Sequence, residues 1–246
     1  MFKPSILQHR SCRGIACSTF VPQTFSLLCW NVYKNNIKHP DFRSFLSAYE
    51  NELDFMLFQE ANFMNDRAFD LSSFTFDAAA NLEVRGAFYG VLTASKVESN
   101  YAQAYLSKVK ESFLASHKSL LVSVYPFEEG TNLLILNIHA INFRENQSYD
   151  KELERFLLLI QEHKGAMIVA GDFNTWNKKR MQKLHEIREK LELKIVSFSQ
   201  TSALKVFMGK QLDFIFYKGL ELVDSKVVTN HSLSDHNPLF VTFKKL

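Results

Sequence analysis

The sequence predicts an α/β fold in which two β-sheets pack face to face and helices cover their outer surfaces. Short apolar runs with the length of buried strands recur along the chain, and amphipathic helical segments lie between some of them. The strands come in two batches, which favours two packed sheets. The 246 residues are 46% hydrophobic with only 8 Gly and 5 Pro, a composition that excludes a disordered or collagen-like chain.

Eight apolar runs bounded by polar or turn-forming residues are typical of strands buried on both faces. They cover residues 25–31, 55–60, 89–94, 120–125, 133–139, 167–172, 212–217 and 239–243. No short repeat and no linker divides them. We therefore expect residues 25–246 to form one domain.

Three segments carry apolar residues at helical spacing, so we expect them to be helices. Residues 149–163 and residues 178–191 are two of them. The third spans residues 41–53, and its apolar face is formed by Phe42, Phe45, Leu46 and Tyr49.

Residues 1–24 have no period, and we expect them to form a loosely structured N-terminal arm. The arm lacks the apolar stretch of about 7–15 residues that a signal peptide has, and the chain has no run of about 18–20 apolar residues that could span a membrane. A cytoplasmic monomer is therefore expected, with export without a cleaved signal left open.

The three cysteines match neither a disulfide framework nor a zinc site, and a net charge of +3 selects no partner.

Polar side chains stand at the carboxyl ends of several apolar runs. Because a strand buried on both faces cannot hold a charged group in its middle, such groups belong at its end, where loops and ligands meet. A turn residue, Gly171, precedes one of them. The polar sequences are Asn31, Gln59-Glu60, His139, Asp172-Phe173-Asn174 and, before the last run, Ser234-Asp235-His236-Asn237.

These strand ends would bring carboxylates, amides and imidazoles to one pocket. Each motif alone is compatible with an ordinary turn or strand end. Together, oxygen ligands without nearby thiolates favour a hard cation, Mg²⁺ or Mn²⁺, over zinc. Such an ion, bound to protein oxygens, water and substrate phosphate, is typical of a phosphoryl-transfer site.

The ordered set of motifs resembles the endonuclease/exonuclease/phosphatase superfamily, and the resemblance covers residues 25–246. It implies the DNase I-like fold, a four-layer α/β/β/α sandwich. The sequences around Trp30-Asn31, His139 and Gly171-Asp172 look most like a little-characterised bacterial branch of the superfamily. The resemblance also implies hydrolysis of a phosphodiester by in-line attack of an activated water, as in a nuclease.

By the same resemblance, Glu60 is the principal ligand of a Mg²⁺ or Mn²⁺ ion. Asn31 would lie beside it, and Asp235 would share a metal ion or its water shell.

The resemblance implies five catalytic residues. Asp172 would polarise the attacking water, and Asn174 would hold that water or a phosphate oxygen. His236 would be the general base or would bind the scissile phosphate, and Asp213 would accept its other ring N–H. His139 would lie near the leaving oxygen, as a proton donor or as a stabilising cation. Which residue deprotonates the water stays open between His236 and Asp172.

Four further residues are expected to bind substrate: Asn142, Arg85 and Tyr33 by hydrogen bonds or phosphate contacts, and Trp176 by stacking on a base. For each of them, a structural role is an equal alternative. A basic group is a candidate contact for a nucleic-acid backbone, with a solvated helix face as the alternative. It consists of Lys178, Lys179, Arg180 and Lys183.

Three functions remain open on the sequence. A nuclease or other phosphodiesterase is the first, with nucleic acid as one candidate substrate. A phosphomonoesterase or phosphoinositide phosphatase is the second, although the Trp-Cys-Asp-Arg motif of inositol 5-phosphatases is absent before Asp213. The sphingomyelinase branch is disfavoured because no membrane-binding aromatic hairpin is evident. The third is a non-catalytic binding domain, which the complete set of catalytic positions disfavours.

Overall fold

Fifteen strands, three α-helices and a short 3-10 helix (Thr201–Ala203) form the described part of a computed structural model, which covers residues 7–10, 18–34, 36, 39–64, 73–107, 117–140, 142, 146–230 and 232–246. The helices are α1 (Pro40–Tyr49), α2 (Asn146–Ile160) and α3 (Lys178–Lys190). The strands are β1 (Leu7–Arg10), β2 (Thr24–Asn31), β3 (Phe55–Phe63), β4 (Thr75–Val84), β5 (Ala87–Ser95), β6 (Tyr101–Leu106), β7 (Ser119–Pro126), β8 (Asn132–His139), β9 (Ala166–Asp172), β10 (Lys194–Ile195), β11 (Val206–Phe207), β12 (Lys210–Gln211), β13 (Asp213–Lys218), β14 (Leu220–Val227) and β15 (Leu239–Lys245).

The strands form two mixed sheets and a separate hairpin. One sheet has the order β1-β4-β5-β3-β2-β15-β14, and the other has the order β10-β13-β9-β8-β7-β6. Each sheet contains one parallel pair, β2 with β3 and β8 with β9. The carboxyl ends of both parallel pairs carry the polar motifs. The short strands β11 and β12 pair only with each other.

Side chains that alternate along the strands divide the core into three layers. In β2, Leu27 and Cys29 belong to the cluster between the sheets, whereas Leu28 packs with the residues under α1. In β9, Ile168 faces the other sheet and Val169 packs against α2 and α3. The predicted four-layer α/β/β/α sandwich is therefore confirmed.

Local sequence explains where two helices begin. Pro40 occupies the first turn of α1, and the His39 side chain accepts a hydrogen bond from the Asp41 N–H. Asn177 caps α3 by accepting from the Arg180 N–H. The three helices were predicted within a few residues of these bounds.

All eight predicted strands are present, but the chain has further strands that the sequence did not reveal. The strands β6 and β14 are only partly buried, so their residues lack a long apolar run. The strand β4 changes from buried to exposed along its length. Within the predicted N-terminal arm, Leu7–Arg10 forms the edge strand β1, which pairs with β4. This strand was not predicted, because four residues are too few to show a period.

The remaining sequence expectations concern cysteines and membranes. Cys29 is a buried free thiol, and burial raises its pKa. Cys12 and Cys17 lie outside the described residues. Within the described ranges, none of the helices combines the length and the apolar character needed to cross a bilayer.

Candidate active site

A cleft of about 360 Å³ opens between the two sheets at the carboxyl ends of β2, β3, β8 and β9. It collects most of the residues that the sequence singled out. They are Asn31, Glu60, His139, Asn142, Asp172, Asn174, Trp176, Asp235 and His236, together with Tyr33.

Strand register explains why these residues meet. His139 of β8 is paired with Asp172 of β9, and Asp172 is also paired with Asp213 at the start of β13. Two hydrogen bonds fix the segment before β15 against the end of β2. Ser234 Oγ donates to the Asn31 carbonyl at 2.6 Å, and Trp30 Nε1 donates to the His236 carbonyl at 2.7 Å.

The site continues the core between the sheets. Asn31 follows Leu27 and Cys29 on one face of β2, and Asp172 follows Ile168 and Ala170 on one face of β9. Because side chains alternate along a strand, each polar residue points to the same inner face as the apolar residues two positions before it. The last inner position of each strand is therefore where a polar group can meet both protein and solvent.

Glu60 would point away from this face without an irregularity in β3. Met56 and Phe58 face α1, and so do Ala61 and Phe63, so the alternation shifts by one residue between them. The β3–β5 register shifts at the same place, and Glu60 has a φ of 51°. This β-bulge turns Glu60 into the cleft.

A polar network between the sheets holds the bulge. Asn137 of β8 donates to the carbonyls of Phe58 and Leu92 at 3.3 and 3.0 Å. Its side-chain oxygen accepts from Gln59 Nε2 at 2.8 Å. Both Asn137 and Gln59 are fully buried, so these hydrogen bonds form where water cannot replace them.

Gly171 lies within β9, not in the tight turn expected before Asp172, and allows the close approach of β9 to β8. Its φ is +140°, and a Cβ atom at this position would lie 2.0 Å from the Ile138 carbonyl oxygen, so no other residue fits here. After the end of β9, the Asn174 N–H donates to Asp172 Oδ1 at 3.0 Å, and Asn174 Nδ2 donates to the Ala140 carbonyl at 2.9 Å.

His236 and Asp213 form a buried pair at the floor of the cleft. His236 Nδ1 lies 2.7 Å from Asp213 Oδ2. Burial alone would lower the pKa of His236, but the carboxylates of Asp213, Asp172 and Asp235 raise it to about 9. The imidazole is therefore protonated at pH 7.

Asp172 lies in a buried and acidic environment. Burial raises its pKa, the nearby Asp213 charge raises it further, and His139 and His236 act in the opposite direction. Asn31 Nδ2 donates to Asp172 Oδ2 at 3.2 Å. This carboxylate therefore binds protons more readily than an ordinary aspartate.

His139 contacts a lysine that the sequence analysis did not single out. Lys118 Nζ lies 2.8 Å from His139 Nε2. Burial lowers the pKa of His139, and Lys118 lowers it further, to about 4, although Asp172 and Glu60 oppose the shift. At this pKa the ring is neutral at pH 7, and the expected role of His139, as a proton donor or as a stabilising cation, stays a prediction.

Glu60 is ionised and faces ammonium groups. Lys34 Nζ lies 2.9 Å from its Oε2 atom, and His139 Nε2 lies 3.8 Å from Oε1. Burial would raise the pKa of Glu60, but His139, Lys118 and Lys34 together lower it to about 2. Because His139 is neutral at pH 7, the two lysines are the cations that act on Glu60 at that pH.

Two groups of side chains could hold a cation. Glu60 and Asn31 line the cleft with carboxylate and amide oxygens, which fit a hard divalent ion. Asp172, Asp213 and His236 form a second, buried group whose ligand atoms lie within 4.8 Å of one another. Asp213 Oδ1 is buried there without a hydrogen-bond partner among the described residues. Glu60 and Asn31 offer the oxygen ligands that suit magnesium or manganese, whereas the second group offers only the carboxylates of Asp172 and Asp213 while His236 is protonated.

Asp235 is the most exposed of the three predicted metal ligands. Its side chain retains 51% of its accessible surface, and Lys205 Nζ lies 2.8 Å from Oδ2. Lys205 also lines the cleft, which gives the site a third lysine besides Lys34 and Lys118. Sequence reasoning missed all three, because nothing in their spacing separates them from surface lysines.

The predicted substrate-binding residues divide into two groups. Asn142 and Trp176 line the cleft, and Trp176 Nε1 donates to the Asn142 carbonyl at 3.3 Å. Arg85 lies on the exposed turn between β4 and β5 and does not line the cleft. Its positive φ of 51° fits a turn residue.

The basic group of α3 is not a single phosphate-binding face. Arg180 is fully buried and stacks between the Tyr149 and Trp176 rings, 4.4 and 4.8 Å from their centres. It donates to the Asn174 carbonyl at 3.0 Å and so supports the turn after Asp172. Lys183 forms an ion pair with Glu154.

One edge of the cleft carries an apolar hairpin. Phe207 of β11 lines the cleft, and the neighbouring Met208 is 73% exposed. Sequence reasoning did not predict this hairpin, because its strands have two residues each, too few to show an alternating pattern.

Comparison with known proteins identifies the family of the chain. The model of the endonuclease/exonuclease/phosphatase family matches residues 28–236. A UPF0294 protein of Vibrio campbellii is 34% identical over 221 residues, which are 89% of this chain and 77% of that protein.

Solved structures share the fold. An endonuclease/exonuclease/phosphatase of Beutenbergia cavernae superposes with a TM-score of 0.68 at 12% identity, over 90% of this chain and 72% of that one. A protein of the same description from Leptotrichia buccalis superposes with a TM-score of 0.63 at 18% identity, over 88% of this chain and 98% of that one.

Proposed function

The chain belongs to the endonuclease/exonuclease/phosphatase family, and on this basis we propose that it is a divalent-metal-dependent phosphodiesterase. The observation that carries the proposal is the placement of Asp172 between two sets of groups. On one side lies the His236–Asp213 pair, and on the other lie His139 and Glu60. Acids, bases and oxygen ligands thus surround one point of the cleft, as hydrolysis of a phosphoester requires.

Glu60, Asn31 and Asp235 are the residues proposed to hold the metal ion. A bound Mg²⁺ or Mn²⁺ ion would neutralise charge on the phosphate and polarise a ligand. The buried and ionised Glu60 supports this role because it offers a full negative charge at the pH of the cell.

Asp172 is the proposed general base. The alternative, His236, is already protonated at pH 7 because Asp213 holds its proton. His236 therefore suits the second expected role, donation of a hydrogen bond to the scissile phosphate. Asp172 has a raised pKa, which favours acceptance of a proton from water. Asn174, adjacent in the turn, is proposed to hold that water.

A phosphomonoesterase is the second candidate, and the cleft lysines favour it. A phosphomonoester carries more negative charge than a diester, and Lys118 and Lys205 line the cleft while Lys34 contacts Glu60. A nuclease stays within the first proposal, with nucleic acid as one substrate to test.

The deciding experiment measures hydrolysis by the wild-type protein and the Asp172→Asn variant. Plasmid DNA, bis-p-nitrophenyl phosphate and p-nitrophenyl phosphate are tested with Mg²⁺ or with EDTA. We expect Mg²⁺-dependent cleavage of diesters, and a fall in kcat of about 10²–10⁴-fold in Asp172→Asn because the base is lost.

Asp224→Asn is the matched control, since Asp224 is exposed on β14 away from the cleft. Cleavage of the monoester alone supports the second candidate. Absence of cleavage of all three substrates supports a binding domain, and an unchanged kcat in Asp172→Asn contradicts the assigned base.

A further inference from the structure

Lys118 lines the cleft and lies next to a strand, β7, that carries none of the sequence motifs. It directly precedes β7, whose Leu120 is paired with Ile138 of β8. Its backbone is fixed, because its N–H donates to Ser107 Oγ at 2.9 Å and its carbonyl accepts from the Ser107 N–H at 2.8 Å. This anchoring places the Lys118 side chain beside the end of β8.

The contact between Lys118 and His139 determines which ring nitrogen of His139 carries the proton. An ammonium group has three N–H donors and no acceptor, so the hydrogen bond at 2.8 Å requires His139 Nε2 to be the acceptor. The ring proton then belongs to Nδ1. An imidazole in this tautomer presents no N–H from Nε2 to a substrate in the cleft.

His139 Nε2 also lies close to two carboxylates of the cleft. It lies 3.8 Å from Glu60 Oε1 and 3.7 Å from Asp172 Oδ2. The Lys118 ammonium, which is hydrogen-bonded to the same Nε2 atom, is therefore close to both carboxylates. Lys118 thus lines the same cleft as Glu60 and Asp172.

We propose that Lys118 is a catalytic residue whose ammonium, held by His139 and lining the cleft, binds a phosphate oxygen and stabilises its negative charge during hydrolysis. His139 acts through it, as a positioning residue that directs the ammonium into the cleft. The role is electrostatic and requires no proton transfer by Lys118, since a fixed positive charge stabilises the transition state by itself. The kinetic part of this inference rests on the proposed function.

Two measurements test the inference without turnover. The first is NMR of ¹⁵N-labelled histidine side chains, with the His139 resonances assigned from a His139→Gln variant. We expect a neutral ring protonated on Nδ1 in the wild type, and a mixture of tautomers in Lys118→Met.

The second measurement is calorimetric titration of the protein with inorganic phosphate. Lys118→Met should bind phosphate at least about tenfold more weakly, and Lys118→Arg should retain most of the affinity.

Kinetics with bis-p-nitrophenyl phosphate separate charge from structure. We expect kcat to fall by about 10²-fold in Lys118→Ala and to recover partly when methylammonium is added, because the free amine can occupy the vacated position. Lys164→Met, an exposed lysine at the opposite end of the second sheet, is the control and should match the wild type.

Wild-type phosphate affinity in Lys118→Met, or a proton on His139 Nε2 in the wild type, overturns the inference. If the wild type hydrolyses no substrate, the proposed function fails, and the NMR and phosphate titrations still decide the role of Lys118.

Discussion

At the scale of single residues, the two histidines of the cleft differ in charge at pH 7, because the pKa of His236 is raised and that of His139 is lowered. His236 is bonded to a carboxylate, and His139 is bonded to an ammonium group. Burial acts to lower the pKa of both rings; at His139 the Lys118 ammonium adds to this effect, whereas at His236 the surrounding carboxylates reverse it. The motifs predicted both histidines but could predict only one partner, Asp213, because Lys118 belongs to no motif.

The His236–Asp213 pair predicts a pH-dependent stability. The pKa of His236 is about 9 in the folded protein and 6.5 in a model peptide. The folded state therefore binds the proton more tightly, and this contribution is complete below pH 6.5 and disappears as the pH rises through 9. The shift corresponds to about 3 kcal/mol.

Urea unfolding in EDTA, at pH values from 6 to 10, measures this contribution. The free energy of unfolding of the wild type should exceed that of His236→Gln most strongly at pH 6, and the difference should shrink toward pH 10. A difference that stays constant across this range would show that the ring is not held as a cation.

At the scale of elements, the bulge in β3 decides whether Glu60 reaches the cleft. The apolar run before Gln59-Glu60 was enough to predict the strand and the candidate ligand. The bulge could not be predicted, because it depends on the partner strand β5 and on the buried Asn137 of the opposite sheet. In the same way, β6 and β14 escaped prediction because strands at the edges of sheets need no continuous apolar sequence.

Asn137 is therefore expected to affect both stability and metal binding. Asn137→Leu removes the hydrogen bonds to the carbonyls of Phe58 and Leu92 and to the Gln59 amide in a dry interior. We expect a loss of about 3 kcal/mol in the free energy of unfolding. We also expect weaker Mn²⁺ binding, measured by electron paramagnetic resonance, because Glu60 loses the support of the bulge.

Thr93→Val is the matched control for this variant. Thr93 Oγ1 accepts a long hydrogen bond of 3.4 Å from the same Asn137 Nδ2 atom, so this variant removes the weakest contact of the network. Its effect on Mn²⁺ affinity should be small. Equal Mn²⁺ affinity in Asn137→Leu and the wild type would mean that Glu60 is positioned without the network, or is not a ligand.

At the scale of the whole molecule, the cleft exists because two sheets end at the same edge. The order of motifs predicted that strand ends would converge, and alternation along the strands explains why they converge on the inner faces. The lysines of the cleft could not be predicted, since Lys34, Lys118 and Lys205 come from three separate loops or strand starts. Their positions in the cleft depend on how the two sheets pack against each other.

This convergence predicts that a divalent ion stabilises the whole fold. Glu60 and Asn31 come from neighbouring strands of the first sheet, and Asp235 precedes β15 of the same sheet, so an ion bound by all three links segments that are separate in sequence. An ion that binds only the folded state stabilises it by about 1.4 kcal/mol at a concentration tenfold above its dissociation constant. For a chain of this length, the melting temperature should rise by about 4 °C.

Thermal unfolding with and without Mg²⁺ therefore reports on the proposed ligands, whatever the substrate. We expect Glu60→Gln to fold but to lose most of the Mg²⁺-dependent rise in Tm, because an amide is a much weaker ligand than a carboxylate. Glu221→Gln, an exposed change on β14, should keep the full rise. If Glu60→Gln keeps it as well, Glu60 is not the ligand, and the same titration on Asp213→Asn tests the buried carboxylates of Asp172 and Asp213 in its place.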